Sequence, residues 1–551
     1  MRTFSPTISW DILRNTSLSS FLVWPTGYEQ TKRTEKINSS AFNKLMINDE
    51  VKGESPFASL PPELIREIFY HCLPKKPNFS AKSAPLLLTH VCHSWRTLAL
   101  SMPTLWSRIH VPGWEESSKN VHKLFQLFIE RTGTASLDLD ICLFAQDVQV
   151  YPGKEGSEHL DRMLEDMVES FSPHVSRINR FRGVFPEYLM EKVGVDKMTN
   201  AEQIFFCGML KDTMMLEGVD NQDMDLVQKK LDLGSQRDAL QRLAICGCGT
   251  NFEPIMHQTQ LVHLELIDLH RGGDLCQEVA YELMKQLPNL KTCVFDITKK
   301  ERAGWVIPND RITLPNLELL FISWIFPAEI HKLLDSISPP NLNKLGLRGT
   351  PASSGQQWDG LFRFLEASQA HLKRISIGDF ASVNARLIDC FKQMPELEHL
   401  TINHTVISDE MFQLLSGASD ICLLPKLQVF SIGVCEGFKL ESLLEFIRSR
   451  SNDIPEGIVP LEEVAIMYCM NVLQQHESLL QETNVKSWVL EAMETSDMYP
   501  YARVVETHQE LLAVIYDGED EELPPFPDDD WEGWEGGPED GETENTELDL
   551  I

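Results

Sequence analysis

The sequence lacks a hydrophobic segment long enough to cross a membrane. Apolar runs such as 319–322 hold four residues, whereas a transmembrane helix needs about 20. The opening residues MRTFSPTISW contain no continuous apolar stretch, and Asp11 follows directly, which is unlike a secretory signal. We therefore expect a protein of the cytoplasm, the nucleus or both.

The twelve cysteines show no regular spacing. The closest pair, Cys246 and Cys248, has no second pair at the separation typical of a zinc site. Cys293, Cys390 and Cys422 lie in apolar segments, where a thiol acts as a small hydrophobic group. The sequence therefore predicts neither a disulfide framework nor a metal site, and it favours a reducing compartment.

Common signatures of catalysis are also missing. There is no glycine-rich phosphate loop, no His-Glu-x-x-His motif, no nucleophile elbow and no EF-hand loop. Asp138 and Asp140 resemble a metal-binding pair, but on an alternating strand they only share the solvent-facing side. We predict no enzyme activity, no metal and no cofactor.

Positive charge is scarce. The chain has 49 Lys and Arg against 82 Asp and Glu, giving a net charge of −33. Sixteen of the acidic residues and no basic residue lie in 517–551, so the remainder carries −17. With no long basic block, the chain is not expected to bind nucleic acid or an anionic membrane.

Both ends of the chain differ from its middle. Residues 1–54 are weakly periodic and predict a flexible arm, and 516–551 predicts an acidic, disordered tail. Two interpretations of the tail remain open. It is either a solubilising segment or a short binding motif, in which Phe526, Trp531 and Trp534 order on a basic, grooved partner.

Between these ends, 55–108 has helical periodicity. A first helix follows Pro61 and Pro62, a second runs from 86 to about 99, and 105–111 alternates as a short strand. The two helical faces carry more apolar residues than they can bury against each other, so the rest of the chain or a partner must cover them.

These residues resemble the F-box family. The motif reads Leu60-Pro61…Glu63…Ile65…Ile68-Phe69…Leu73, then Leu88…Val91-Cys92…Trp95-Arg96…Leu98…Pro103…Leu105-Trp106. The intervening loop, 74–85, is longer than in the usual pattern. Combined with the repeats described next, the motif resembles the F-box families of basidiomycete fungi.

The resemblance implies a substrate-recognition subunit of a cullin–RING (SCF-type) ubiquitin ligase. The F-box would bind a Skp-family adaptor and, through it, the cullin and RING subunits. The implied adaptor contacts are Leu60, Pro61, Ile65, Ile68, Phe69, Leu88, Val91, Cys92, Trp95 and Leu98. The alternative is a non-catalytic repeat scaffold whose F-box-like helices only cap the repeats.

Nine segments fit the pattern L-x-x-L-x-L, with successive starts 21 to 34 residues apart. They begin at Leu240, Leu261, Leu290, Leu317, Leu342, Leu372, Leu397, Leu427 and Leu461. Helical stretches at 274–286, 359–367, 383–394 and 441–448 lie between them. We predict an α/β fold in which 240–515 forms an irregular leucine-rich-repeat solenoid, or horseshoe. Residues 109–239 are interpreted as degenerate early repeats, with a separate α+β domain as the alternative.

The residues between the repeat leucines project from the concave side. They are His263, Glu265, Leu319, Phe321, Lys344, Arg374, Ser376, His399, Thr401, Val429, Ser431 and Glu463. This mixed set, with apolar members, suits a protein partner better than a phosphate-binding groove. For the protein substrate we predict contacts with Phe321, Trp324, Arg374 and His399.

Overall fold

The computed structural model describes residues 60 to 490 with gaps. The longer gaps are 112–120, 142–157, 210–229, 268–274, 298–310, 325–329, 350–355, 379–384 and 473–478. The predicted arm, 1–54, and the predicted acidic tail, 516–551, lie outside the described residues.

Three short helices open the described chain: α1 Pro62–His71, α2 Leu86–Val91 and α3 His93–Leu100. Proline suits the start of α1, because the first helical N–H groups need no intrahelical acceptor. The predicted second helix is in fact two helices, since Cys92 adopts an extended conformation with φ −159° and ψ 170°. The predicted strand at 105–111 is also shorter, because 103–106 form a 3-10 turn.

Sixteen strands follow in the described residues. They are β1 Arg108–Val111, β2 Leu137–Ile141, β3 Ile178–Pro186, β4 Gln203–Met209, β5 Arg242–Cys246, β6 His263–Ile267, β7 Thr292–Ile297, β8 Ile312–Thr313, β9 Leu319–Trp324, β10 Ile337–Ser338, β11 Lys344–Arg348, β12 Arg374–Gly378, β13 His399–Asn403, β14 Val429–Gly433, β15 Glu463–Met467 and β16 Lys486–Leu490. Fourteen of them form one parallel sheet in chain order, and β8 pairs separately with β10.

Ten further helices alternate with these strands. They are α4 Val121–Arg131, α5 Glu158–Phe171, α6 Met190–Val193, α7 Phe252–Met256, α8 Gln277–Gln286, α9 His331–Asp335, α10 Gln356–Ser368, α11 Ala385–Lys392, α12 Asp409–Leu415 and α13 Leu440–Ser449. Within the described part of the chain, no helix combines the length and the apolar character needed to cross a bilayer.

The predicted α/β class is therefore confirmed, and all nine predicted repeat segments form strands of the parallel sheet, β5 to β7, β9 and β11 to β15. Strands β1 to β4 extend the same sheet towards the N-terminus, so the described strands of 109–239 belong to that sheet. The sequence pattern did not predict β16.

Side chains alternate between the two sides of the sheet. In β11, Leu345 and Leu347 are buried in one core cluster with Leu361 and Phe364 of α10. The other side presents three rows of side chains, those in register with Lys344, Gly346 and Arg348. We call this side the sheet face.

The recurring Pro-Asn-Leu phrase has a structural role. Three asparagine side chains each donate a hydrogen bond to a backbone carbonyl of the preceding repeat: Asn289 to Thr259 at 2.9 Å, Asn316 to Pro288 at 3.1 Å and Asn341 to Pro315 at 2.7 Å. Each bond ties one turn to the turn before it, and thereby supports the in-register pairing of neighbouring strands.

Candidate functional site

Apolar side chains on α1 to α3 remain in contact with solvent. Leu64 is 52% exposed and Leu100 is 41% exposed. Eight of the predicted adaptor residues are also exposed or half-buried: Leu60, Pro61, Ile65, Ile68, Val91, Cys92, Trp95 and Leu98. We call these ten residues the helical surface. An apolar set of this kind on three adjacent helices is typical of a protein-binding site.

Two predicted adaptor residues, Phe69 and Leu88, are not on this surface. They are 0% and 1% exposed. The Phe69 ring packs against the Trp95 ring, with centroids 4.9 Å apart, and thereby holds α1 against α3. Both side chains therefore lie inside the described chain, and their contact with an adaptor stays a prediction. The periodicity of a helix that is apolar on two sides does not separate inner from outer residues.

Cys92 lies at the N-terminus of α3 with an exposed thiol. Slight burial raises the pKa of Cys92, but hydrogen bonds from the Ser94 hydroxyl and the backbone N–H groups of Trp95 and Ser94 outweigh it, so the pKa is lowered overall. The Cys92 sulfur lies 3.1 Å from Ser94 Oγ. In Cys72, by contrast, burial raises the pKa of the thiol.

The helices are joined to the end of the sheet through Trp106. Its indole N–H donates to the Ala99 carbonyl at 2.9 Å, and the Arg131 guanidinium lies 4.3 Å from the centre of the indole ring. A second link connects α1 to β1, since Arg108 donates to the Tyr70 hydroxyl at 3.0 Å. The helical surface is therefore carried on a block that is packed against the first strand.

On the sheet face, three charged or polar side chains meet on β1 to β3. His110 Nδ1 lies 2.9 Å from Asp140 Oδ2, and an Arg182 guanidinium nitrogen lies 3.8 Å from the same oxygen. Burial raises the pKa of the nearby Asp138, although Arg180 and Arg108 oppose that shift. Asp138 and Asp140 do share one side of the strand as predicted, but they face basic neighbours there and not only solvent.

The predicted exposed aromatic anchors are not exposed. Phe321 is 1% exposed and Leu319 is 5% exposed, both on the sheet face. Trp324 lies on the opposite side, within the core cluster, and an added Cβ on Gly349 would come within 2.7 Å of its indole. These residues are therefore buried. The length of β9 and the burial of its face depend on packing against neighbouring elements. The repeat pattern does not encode that packing, so it could not predict the burial.

Arg374 and His399 do lie together. They are register partners on β12 and β13, and Lys344 is the register partner of Arg374 on β11. Arg348, two residues beyond Gly346 on the same strand, faces the same side. All four are half-buried. We call Lys344, Arg348, Arg374 and His399 the basic patch.

No acidic side chain lies on the sheet face of β11 to β14, which are fully described strands. Lys291 and Lys373, outside these rows, pair with the carboxylates of Glu318 and Glu398. On the sheet face of β11 to β14, the ionisable side chains are therefore basic ones. Sequence reasoning found Lys344, Arg374 and His399 separately, but register was needed to bring them together and to add Arg348.

Three polar side chains lie within the basic patch. Ser376 Oγ, Thr401 Oγ1 and both amide atoms of Asn403 are buried and have no hydrogen-bond partner among the described residues. An unsatisfied buried polar group costs about 1–3 kcal/mol. Hydroxyl and amide groups can both donate and accept hydrogen bonds, so this part of the face offers hydrogen-bonding sites for a polar ligand.

Within the described ranges, no group of three or more His, Cys, Asp or Glu side chains is placed to hold a metal ion. In comparisons with known proteins, the chain matches no family model and no curated protein. The geometry of the helical surface and of the basic patch therefore carries the functional argument.

Proposed function

We propose that the protein is a substrate-recognition subunit of an SCF-type ubiquitin ligase. The helical surface would bind a Skp-family adaptor, and the sheet face would bind a protein substrate. The observation that carries this proposal is the exposed apolar set on α1 to α3, led by Leu64. Burying it against a partner removes apolar area from water, which favours association.

We also infer that the parallel sheet is a leucine-rich-repeat solenoid. Nine L-x-x-L-x-L segments support this, since each places its second and third leucine-type residues in the core beside their counterparts in the next strand. The asparagine bonds between turns add a second repeating contact. Such an array offers a long recognition surface without a catalytic centre.

In this role the protein performs no chemistry of its own. The helical block and the sheet share one core, so a substrate on the sheet face is held at a fixed position relative to the adaptor. The gain in rate comes from the raised effective concentration of substrate near the catalytic partner of the ligase.

The test is co-purification of a Skp-family adaptor with surface variants. Leu64→Glu, and separately Leu60→Ala with Pro61→Ala, should abolish adaptor binding because they place charge in the interface or remove apolar contact from it. Val406→Glu is the matched control, since Val406 is 37% exposed and lies after β13. Retention of the adaptor by Leu64→Glu would refute the proposal.

The alternative, a scaffold capped by these helices, is favoured by one observation, the burial of Trp106 at 0% exposure between α3 and α4. Deleting 55–108 would remove Trp106 and the start of β1, and would damage the sheet under either hypothesis. Substitution of the exposed Leu64 avoids this problem. If the wild-type chain binds no adaptor, the capping scaffold is the better account.

A further inference from the structure

We propose that a cavity between α7 and α8 binds the side chain of a lysine from a partner protein. The cavity has a volume of about 270 Å³ and is lined by residues of both helices and of the segment that precedes α7. Ile255 of α7 and Leu283 of α8 belong to the same core cluster as Leu243 and Leu264 of the sheet, so both helices lie opposite the sheet face. The cavity is therefore separate from the sheet face, and its ligand does not depend on adaptor binding by α1 to α3.

Backbone hydrogen bonds hold the walls of the cavity. The Leu231 N–H donates to the Gly249 carbonyl at 2.7 Å, and the Asn251 N–H donates to the Leu231 carbonyl at 3.1 Å. These bonds fix Thr250 in the wall. The Asn251 side chain accepts a hydrogen bond from the Glu253 N–H at 3.3 Å and caps the start of α7. The cavity is therefore preformed, as binding sites for small groups usually are.

The lining of the cavity carries an excess of negative charge. Three glutamates line it, Glu253, Glu278 and Glu282, and one lining residue, Lys230, is basic. Glu282 has a partner, since its Oε1 lies 3.6 Å from Lys285 Nζ. Glu278 is half-buried, and its Oε2 has no hydrogen-bond partner among the described residues. A carboxylate in this environment attracts a cation more strongly than one in open solvent, because less water screens it.

A buried hydroxyl lines the same cavity. Thr250 is 1% exposed, and in the part of the chain that the structure describes its Oγ1 has no hydrogen-bond partner. Since most buried hydroxyls are paired, this one points to a ligand that completes the pairing. An ammonium group has three N–H donors and no acceptor, so it matches the oxygens of Thr250 and Glu278.

The rest of the lining suits a carbon chain. Phe252, Met256 and Val279 line the cavity together with the glutamates. The carboxylates of the described chain form no group that could hold a metal ion, so the matching cation is an organic one. Lysine carries a compact ammonium on a four-carbon stem that packs along apolar surface. The cavity is smaller than the sites of about 300 Å³ and above that take drug-sized ligands, and this size suits one side chain.

Saturation-transfer NMR on the full chain tests the proposal, with Nα-acetyl-lysine methylamide as the probe. The norleucine analogue has the same stem without the ammonium and should bind about tenfold more weakly. Spermidine represents a free polyamine and should bind no more tightly than the lysine probe, because the cavity holds one ammonium group. Tighter binding of spermidine, or of the arginine analogue, would overturn the assignment to a lysine side chain.

Three variants locate the bound probe. Glu278→Gln should weaken binding of the lysine probe about tenfold, since it removes the charge and keeps the shape. Thr250→Val should weaken it about threefold through the lost acceptor. Glu441→Gln is the matched control and should have no effect, because Glu441 is exposed and lies in the first turn of α13, as Glu278 does in α8.

Circular dichroism of each variant checks that it is folded. The proposal fails if the wild-type chain does not bind the lysine probe, or if it binds the lysine and norleucine probes equally. Equal weakening by Glu278→Gln and Glu441→Gln would also overturn it, because the probe would then respond to the overall negative charge and not to this cavity.

Discussion

Trp106 packs edge-on against Phe128, with ring centroids 5.0 Å apart and ring planes at 80°. Phe79 meets the same Phe128 ring at 5.1 Å. One aromatic side chain of α4 thus contacts both the loop before α2 and the turn after α3. The three N-terminal helices and the parallel sheet share this small aromatic core, so the helical surface has a rigid support.

Trp106→Ala should lower the free energy of unfolding by about 3–5 kcal/mol, because it opens a large cavity where the helices meet the sheet. Trp106→Phe should have a smaller effect, of about 1 kcal/mol from the lost hydrogen bond to Ala99 plus the smaller ring. Urea unfolding followed by circular dichroism measures both. Leu100→Ala, at an exposed position, is the control and should change stability by less than about 0.5 kcal/mol. Equal effects of Trp106→Ala and Leu100→Ala would contradict this account.

Arg450→Met should destabilise the C-terminal repeats by about 3–5 kcal/mol. The Arg450 side chain is fully buried and donates hydrogen bonds to the carbonyls of Leu415, Leu423 and Leu424 at 2.8 to 2.9 Å. Methionine fills a similar volume but leaves these carbonyls with fewer donors. Arg450→Lys should not restore stability, since one ammonium group cannot reproduce the planar fork of donors.

Arg448→Met provides the matched control for that measurement, because Arg448 lies in the last turn of α13, two residues before Arg450, with an exposed side chain. Its effect on urea unfolding should stay within about 0.5 kcal/mol. A comparable loss of stability in Arg450→Met and Arg448→Met would show that the loss comes from disturbing the end of helix α13, and not from breaking the buried hydrogen bonds.

Cys92 should react with iodoacetamide faster than Cys72 at neutral pH. Hydrogen bonds lower the pKa of Cys92 and burial raises the pKa of Cys72, so the thiolate fraction below pH 9 is larger at Cys92. The alkylation rate of Cys92 should therefore rise at lower pH than that of Cys72. Ser94→Ala should move the Cys92 profile to higher pH, and mass spectrometry of each peptide provides the rates.

The same reagent tests the helical surface, to which Cys92 belongs. Bound adaptor should protect Cys92 from alkylation and leave the reaction of a denatured sample unchanged. Unaltered alkylation of Cys92 in a purified adaptor complex would place the adaptor elsewhere.

Much of the fold could be predicted from local pattern. The spacing of Leu342, Leu345 and Leu347 located β11, and the equivalent triplets located eight further strands, because the inward row of a repeat must be apolar in every copy. Helix α5 was predicted with the bounds that the structure shows. Where the repeat pattern weakens, as before β16, no strand was predicted.

The candidate sites were less predictable, because burial depends on neighbours that are distant in sequence. Phe69 and Ile68 have the same apolar character, yet Phe69 is buried beneath the half-buried Trp95 while Ile68 stays half-buried. Phe321 occupies a repeat position that the pattern assigns to the solvent side, and the structure buries it.

The sequence by itself determined the parallel α/β ladder, the apolar character of α1 to α3 and the acidity of 517–551, since each follows from composition or from a short-range period. Only the tertiary structure decided which apolar residues face outward and which basic residues become neighbours. Lys344, Arg374 and His399 are separated by 30 and 25 positions in the chain and become adjacent through strand register. Register is set by the packing of the buried rows on the other side of the sheet, and for that reason the basic patch is a property of the fold.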